Sequence, residues 1–253
     1  MHKDRIRKNI LELSFEAQSA HVGSSLSCVE ILDVIFHLMK EEKQRESSKV
    51  ILSKGHAAMA LYATAMEYGY LDRSHKKSYL KDGTTIWGHP SVSTSHEFIH
   101  WSTGSLGHGL PVACGIAYAN KVAQKNMSIY VVLSDGELNE GSNWEAFLFA
   151  AHHKLKNIVV VIDYNKIQSF GRCEDVINLE PLSDKLKAFN WEVEQVDGHN
   201  SDEILKAIMT PADKPKVVIA HTTKGKGIEE FEDTIESHYK PINEQILKKY
   251  IGI

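Results

Sequence analysis

Cysteine is scarce in this chain of 253 residues, and Cys28, Cys114 and Cys173 lie too far apart to form a CxxC pair. An odd, dispersed set argues against a disulfide framework and against a cysteine zinc site, and it suits reduced thiols in the cytoplasm. Long apolar runs are missing too. No stretch approaches a membrane span, and the opening MHKDRIRKNILELSFEA is charged and amphipathic rather than a signal peptide. Neither sign of charge is concentrated: 29 basic and 33 acidic residues are interspersed, for a net charge of −4. No basic tract suggests nucleic acid, and no charge block suggests a disordered tail. The common nucleotide fingerprints are also absent. No GxGxxG stands at a strand–helix junction and no GxxxxGK[ST] occurs. GSLGHG at 104–109 has its glycines in another order, and GKG at 225–227 lacks the hydroxyl residue after lysine. These absences argue against a dinucleotide dehydrogenase and a P-loop kinase. With no HExxH and no Cys/His cluster, they argue against zinc catalysis as well.

What is present is a regular alternation. Ile6, Ile10, Leu13 and Ala17 form a helical stripe within residues 3–19. SCVEILDVIFHLM (27–39) opens on Ser27 with Glu30 three residues on, which predicts a capping box and a helix start. KVILS (49–53) reads as a short strand, and HAAMALYATAMEYGY as a helix that stops at Gly69. Residues 71–104 are polar and turn-rich, and LGHGLPVACGIAYANKVAQ reads as a helix rich in small residues. From 128 to 224, strands and helices alternate: SIYVVLS, SNWEAFLFAAHH, NIVVVID, PLSDKLKAFN, WEVEQV, SDEILKAIM and KPKVVIAHTT. A terminal helix, INEQILKKY, follows. Such alternation predicts right-handed crossovers and an α/β fold, a parallel sheet with helices on both faces. YVVL and IVVVI do not alternate, as befits strands buried on both sides. One domain over residues 1–253 is the simplest reading.

In such sheets ligands bind beyond the carboxyl ends of the strands. Two loops lie at that end, SDGELNEG (134–141) and DYNKIQSFG (163–171). Asp135 offers a carboxylate, Asn165 an amide carbonyl, and the backbone near Ile167 a third oxygen. An incomplete all-oxygen set suits Mg²⁺ or Ca²⁺, with phosphates and water completing the shell. Gly136 lets backbone approach a phosphate oxygen, and the helix after Gly141 adds a positive end. A strand-end Asp-Gly turn and an Asx turn at Asn165 would look the same.

Histidine is plentiful, with 14 in the chain. His21, His56, His89 and His108 sit beside glycine or small residues in loops, a setting suited to binding anionic oxygen or moving protons near neutral pH. A helix cap or a partly buried core histidine is the plainer reading of each, and it is preferred for His37, His75, His152 and His153.

Taken together these motifs resemble the N-terminal, cofactor-diphosphate-binding half of transketolase, in order over nearly the whole length. The motifs are SAHVGSSLS, LSKGHA, GHP at 88–90, TGSLGHGL, SDGELNEGSNWEA with DYNKI, and HTTKGKG. The resemblance implies a thiamine-diphosphate-binding fold, with thiamine diphosphate and Mg²⁺ (or Ca²⁺ or Mn²⁺) as cofactors. Asp135, Asn165 and the Ile167 carbonyl would hold the ion. His56 and Gly136 would contact the diphosphate, and Gly104 and Leu106 would lie against the aminopyrimidine. His21 and His89 would line the substrate channel, and Glu140 and Glu145 would belong to an acidic group linking paired sites. The implied reaction transfers a two-carbon ketol unit from a ketose or ketose phosphate to an aldehyde.

Some positions depart from the family. Ser134 stands for the first glycine of the cofactor signature, His108 for the usual glutamine, and Tyr164 precedes Asn165 where an acid or amide is common. SHYKP (237–241) resembles the family's histidine-containing end segment, but His238 could equally be a surface residue. The chain is also too short for the second domain, which carries the glutamate that activates the cofactor. The resemblance therefore implies a split enzyme, completed by a C-terminal subunit with the pyrimidine domain and prone to self-association. Two alternatives compete: the α chain of a 2-oxo-acid dehydrogenase, against which LSKGH and GSLGHGL argue, and a non-catalytic regulatory subunit of the same fold.

Overall fold

The computed structural model describes residues 1–41, 48–94 and 96–252. Among these, five strands form one sheet: β1 (Lys49–Leu52), β2 (Ile129–Ser134), β3 (Ile158–Tyr164), β4 (Glu192–Asp197) and β5 (Lys216–His221). Every pairing is parallel, in the order β1-β2-β3-β5-β4. The apolar runs of β2, β3 and β5 occupy the centre, where both faces are covered. The charged β4 lies at an edge, and its glutamates blunt exposed backbone. β1 joins β2 across a long insertion, so the sheet starts well before the alternating region read from the sequence.

Helices pack on both faces, as expected. One layer combines α1 (Lys3–Ala17), α3 (Val29–Glu41), α4 (Ala58–Tyr68), α9 (Ser201–Met209) and α10 (Glu244–Ile251) around Ile6, Ile10, Leu32, Phe36 and Tyr62. The other combines α5 (Gly109–Val122), α6 (Gly141–His152) and α8 (Leu182–Ala188) around Leu110, Ala117, Phe147, Leu186 and Trp191. Each fully buried Leu, Ile, Val or Phe contributes about 1.5–3 kcal/mol of transfer free energy, so these two layers are what holds the sheet. α4 ends at Gly69 in the left-handed region, φ 80°, the stop that the sequence predicts.

One local expectation fails. Ser27 and Glu30 form no capping box. The chain has already turned helical in α2 (Val22–Ser27), breaks at Cys28, and resumes as α3. The Ser27 hydroxyl instead donates to the Ser24 carbonyl and the Asp163 carboxylate, while Glu30 is taken by Arg7 and His199. Long-range partners have won over local capping. The three cysteines are buried free thiols, and α7 (Cys173–Val176) is a single turn not foreseen from the sequence.

Small residues let α5 approach the end of β1. A Cβ on Gly109 would stand 2.9 Å from the Ser53 Cα, a backbone atom that cannot step aside. Gly109→Ala should therefore destabilise the fold by about 1–3 kcal/mol, the usual cost of overpacking. A urea midpoint equal to that of the wild type would show that the two segments are not locked together.

Candidate active site

The carboxyl ends of β1, β2, β3 and β5 open into a cavity of about 410 Å³. Of the residues singled out in the sequence, His21, His56, Gly104, Leu106, Asp135, Gly136, Glu140, Asn165 and Ile167 line it. His238, left open by the sequence, lines it too. Its ring centroid is 4.8 Å from that of His21 and 5.8 Å from that of His56, and His21 and His56 are 5.5 Å apart. His89 is not in the lining but packs beside Gly104 at the rim; a Cβ on that glycine would meet its ring at 3.5 Å. His108 is exposed at the start of α5. Glu145 is exposed on α6, outside the cavity, one turn before the exposed Leu148 and Phe149.

One pole of the cavity is rich in oxygen. The carboxylate of Asp135, 1% exposed, accepts the Gly136 N–H at 2.7 Å on Oδ1 and the Lys166 N–H on Oδ2. Asn165 Oδ1 accepts the Ile167 N–H at 3.1 Å, and its Nδ2 points to Asp163 at 3.3 Å. The Ile167 carbonyl accepts from Lys224 Nζ at 3.0 Å. Burial, and then the charge of Asp163, push Asp135 up to about 6, against the pull of the two amides and Lys54. Among the described residues, no three His, Cys, Asp or Glu side chains cluster as metal ligands.

The opposite pole is basic. His21, His56 and His238 share it with Lys224, whose Nζ stands 3.4 Å from His238 Nδ1. Burial, followed by the charge of Lys54, brings Lys224 down to about 8. Burial and then Lys224 lower His238 to about 3; burial and then Lys54 hold His56 well below its ordinary value. His21 is lowered by burial and by His89. The imidazoles are therefore neutral near pH 7, in a pocket that would welcome negative charge. His21 also holds φ at 66°, in the left-handed region a β-carbon disfavours, and its N–H donates to the His238 carbonyl at 3.0 Å.

Beneath both poles lies a buried hub that sequence reading missed. Lys54 and Asp163 form an ion pair, each side chain 0% exposed. Asp163 also accepts from Ser27, Thr222 and Asn165, and Lys54 Nζ donates to the Ser24 carbonyl at 3.0 Å. Burial alone would discharge both groups. Their mutual attraction reverses it, raising Lys54 above its ordinary value and lowering Asp163 below. Glu137, fully buried, is the second missed member. It accepts the Gly107 N–H at 2.9 Å, the Ser134 N–H at 3.3 Å and the Ser53 hydroxyl at 2.5 Å, tying three strand-end loops together. The signal available was the placement of Lys54 and Asp163 at the ends of apolar runs, where a charge needs a reason.

Comparison with known proteins fits this geometry. The family described as "Transketolase, thiamine diphosphate binding domain" matches residues 3–251. One of the two subunits of the apulose-4-phosphate transketolase from Actinobacillus succinogenes is 39% identical over 93% of this chain and 88% of its own length. The 6-deoxy-6-sulfo-D-fructose transketolase subunit of Clostridium sp. is 37% identical over 98% of this chain and 92% of its own. Among solved structures, the transketolase of Campylobacter jejuni superposes with a TM-score of 0.87 at 29% identity, covering 99% of this chain. This chain spans 42% of the length of that enzyme. A family match that runs almost from end to end, on a shared fold, makes this chain a member of the transketolase family, equivalent to its N-terminal, thiamine diphosphate-binding part.

Proposed function

We propose that this chain is the cofactor-diphosphate-binding subunit of a two-chain transketolase, which moves a two-carbon ketol unit from a ketose or ketose phosphate to an aldehyde acceptor. The observation that carries the reading is the two-pole cavity. It sets a buried carboxylate, an amide and a carbonyl at one end, with a lysine and three discharged imidazoles at the other. A diphosphate with its divalent cation satisfies both poles at once. The cation offsets the raised Asp135, and the anion recharges Lys224 and its neighbours.

Thiamine diphosphate, when bound, supplies the carbon nucleophile and the electron sink that sugar chemistry needs. The chain's own residues do the rest. Asp135, Asn165 and the Ile167 carbonyl hold a divalent ion, Mg²⁺ by its taste for one carboxylate plus phosphates, or Ca²⁺ or Mn²⁺. His56, Lys224 and the Gly136 backbone take the diphosphate. Gly104 and Leu106 flank the pyrimidine end. His21, with His238 beside it and His89 at the rim, is placed to orient sugar hydroxyls and to move protons at their oxygens as neutral imidazole. Glu140 at the cavity edge faces the cofactor, while Glu145 belongs to a contact between protomers.

Residues 1–253 are read as one domain, because both apolar layers lie against the same sheet. The partner is a second chain carrying the pyrimidine domain. Two relatives of nearly the same length are named as transketolase subunits, which supports that reading. Tyr118 and Val122 on α5 and Leu148 and Phe149 on α6 leave a large exposed apolar face, which supports self-association as a pair of heterodimers. No helix among the described residues is long and apolar enough to cross a membrane, and buried free thiols suit a cytoplasmic setting.

The test is a transfer assay on this chain mixed with the product of the neighbouring reading frame, using a ketose phosphate donor and an aldose acceptor. A product longer by two carbons is expected. Turnover of pyruvate with a lipoyl acceptor would instead identify a 2-oxo-acid enzyme. A stable complex that binds cofactor without converting either substrate class would leave a regulatory subunit. Within the same system, His56→Ala should weaken cofactor binding about tenfold or more, the worth of a hydrogen bond to a charged group. An unaltered dissociation constant would remove His56 from the diphosphate site.

A further inference from the structure

The loop that follows β5 carries Lys224 into the cavity, and it is gripped from behind by three side chains that do not line the cavity. The Thr223 N–H donates to His199 Nε2 at 2.8 Å. Two residues beyond Lys224, the Lys226 carbonyl accepts from Arg7 Nε at 3.1 Å. The two grips meet on one buried carboxylate. Glu30 accepts Arg7 Nη2 at 2.8 and 2.9 Å, and His199 Nδ1 lies 3.2 Å from its Oε2. Side-chain exposure is 3% for Glu30, 13% for Arg7 and 15% for His199.

The hydrogen-bond logic fixes the chemistry. A backbone N–H can only donate, so His199 Nε2 must be the accepting nitrogen. The ring proton is then on Nδ1, where Glu30 receives it. Glu30 is kept ionised although buried: burial raises it, but His199 and Arg7 more than reverse that. The ionised carboxylate thus selects the tautomer that can hold Thr223, and it aligns the guanidinium that holds Lys226. Further ties brace the loop on its other side, with Gly225 N–H to the Gly23 carbonyl at 3.1 Å and Asp233 N–H to the Lys224 carbonyl at 2.9 Å. Gly225 sits at φ 79°, and a Cβ there would strike the Phe231 carbonyl oxygen at 2.2 Å, so this turn has no slack.

We infer that Arg7, Glu30 and His199 are positioning residues, a relay across α1, α3 and the loop between β4 and α9 that locks the 222–227 loop so that Lys224 points into the cavity. Its consequence for the cofactor rests on the function proposed above; the lock itself does not. Supporting groups of this kind, when removed, typically cost about tenfold to a hundredfold in affinity for what the first layer binds.

The experiment compares the wild type with His199→Phe, which keeps a ring and removes both nitrogens, and His199→Gln, which keeps one donor and one acceptor. Hydrogen exchange is followed in the 222–227 segment. Thiamine diphosphate affinity with Mg²⁺ and kcat at saturating cofactor are measured with the partner chain present. In His199→Phe, exchange in the segment should quicken and affinity should fall about tenfold or more, with kcat at saturation largely kept. His199→Gln should recover much of both. A general loss of stability would instead quicken exchange throughout the chain and would not be rescued by glutamine. Unchanged exchange in the segment would overturn the lock, and faster exchange with unchanged affinity would overturn its role in positioning Lys224. If the wild type binds no cofactor while the segment still loosens in His199→Phe, the functional reading fails and the lock stands.

Discussion

Asp135→Ala should abolish metal-dependent binding of thiamine diphosphate while leaving the chain folded. The carboxylate is the charged oxygen donor at its pole of the cavity, joined there by the Asn165 amide and the Ile167 carbonyl. A hard divalent ion held by so few protein ligands depends on its charged one. The loss should be at least about a hundredfold, since removing a charge-assisted contact and an ion ligand together exceeds the cost of a single hydrogen bond to a charged group. Stability should change little or even rise, because burial and Asp163 already make this carboxylate costly in the unliganded chain. Calorimetric titration checks the binding and a denaturant midpoint checks the fold. Affinity equal to that of the wild type would remove Asp135 from the metal site.

The second large effect concerns stability. Asp163→Ala should destabilise the chain by about 3–5 kcal/mol, because it strands the fully buried Lys54 ammonium without its counter-charge. It also frees the hydroxyls of Ser27 and Thr222 and the amide of Asn165, all of which point at that carboxylate. The double variant Lys54→Met with Asp163→Ala should recover a large part of the loss, since breaking a buried pair costs more than replacing it. Urea unfolding of the three variants checks this. A double variant as unstable as the sum of two independently harmful changes would mean that the groups are not acting as a pair.

Much of the fold is legible in the sequence because local pattern and global packing agree. The unbroken apolar runs of β2 and β3 announce strands covered on both faces, and the sheet covers them. Gly69 stops its helix through a conformation that glycine adopts freely. The Asp-Gly and Asn-containing loops lie at strand ends, and parallel topology brings those ends together without further information. The failures are all matters of distance along the chain. Ser27 looks like a cap because Glu30 stands at capping spacing, but both side chains find partners far away in sequence. Lys54 and Asp163 are 109 residues apart, and no periodicity joins them. His238 reads as a surface histidine until the segment after the 222–227 loop folds back beside His21. Glu137 sits in the middle of the acidic loop after β2. Its role still goes to Ser53 and Gly107, which only the closed structure brings within reach. Sequence reading therefore finds the residues at the cavity wall and misses those that hold the wall in place.

The central claim is that this cavity binds thiamine diphosphate through a divalent ion and becomes complete with a second chain. It is tested most directly by calorimetric titration of thiamine diphosphate with and without Mg²⁺. The titration is run on this chain alone and then on its mixture with the product of the neighbouring reading frame. Binding that requires Mg²⁺ and becomes tight only in the mixture is the predicted result. Two folded, associated chains that show no Mg²⁺-dependent heat of binding would contradict it.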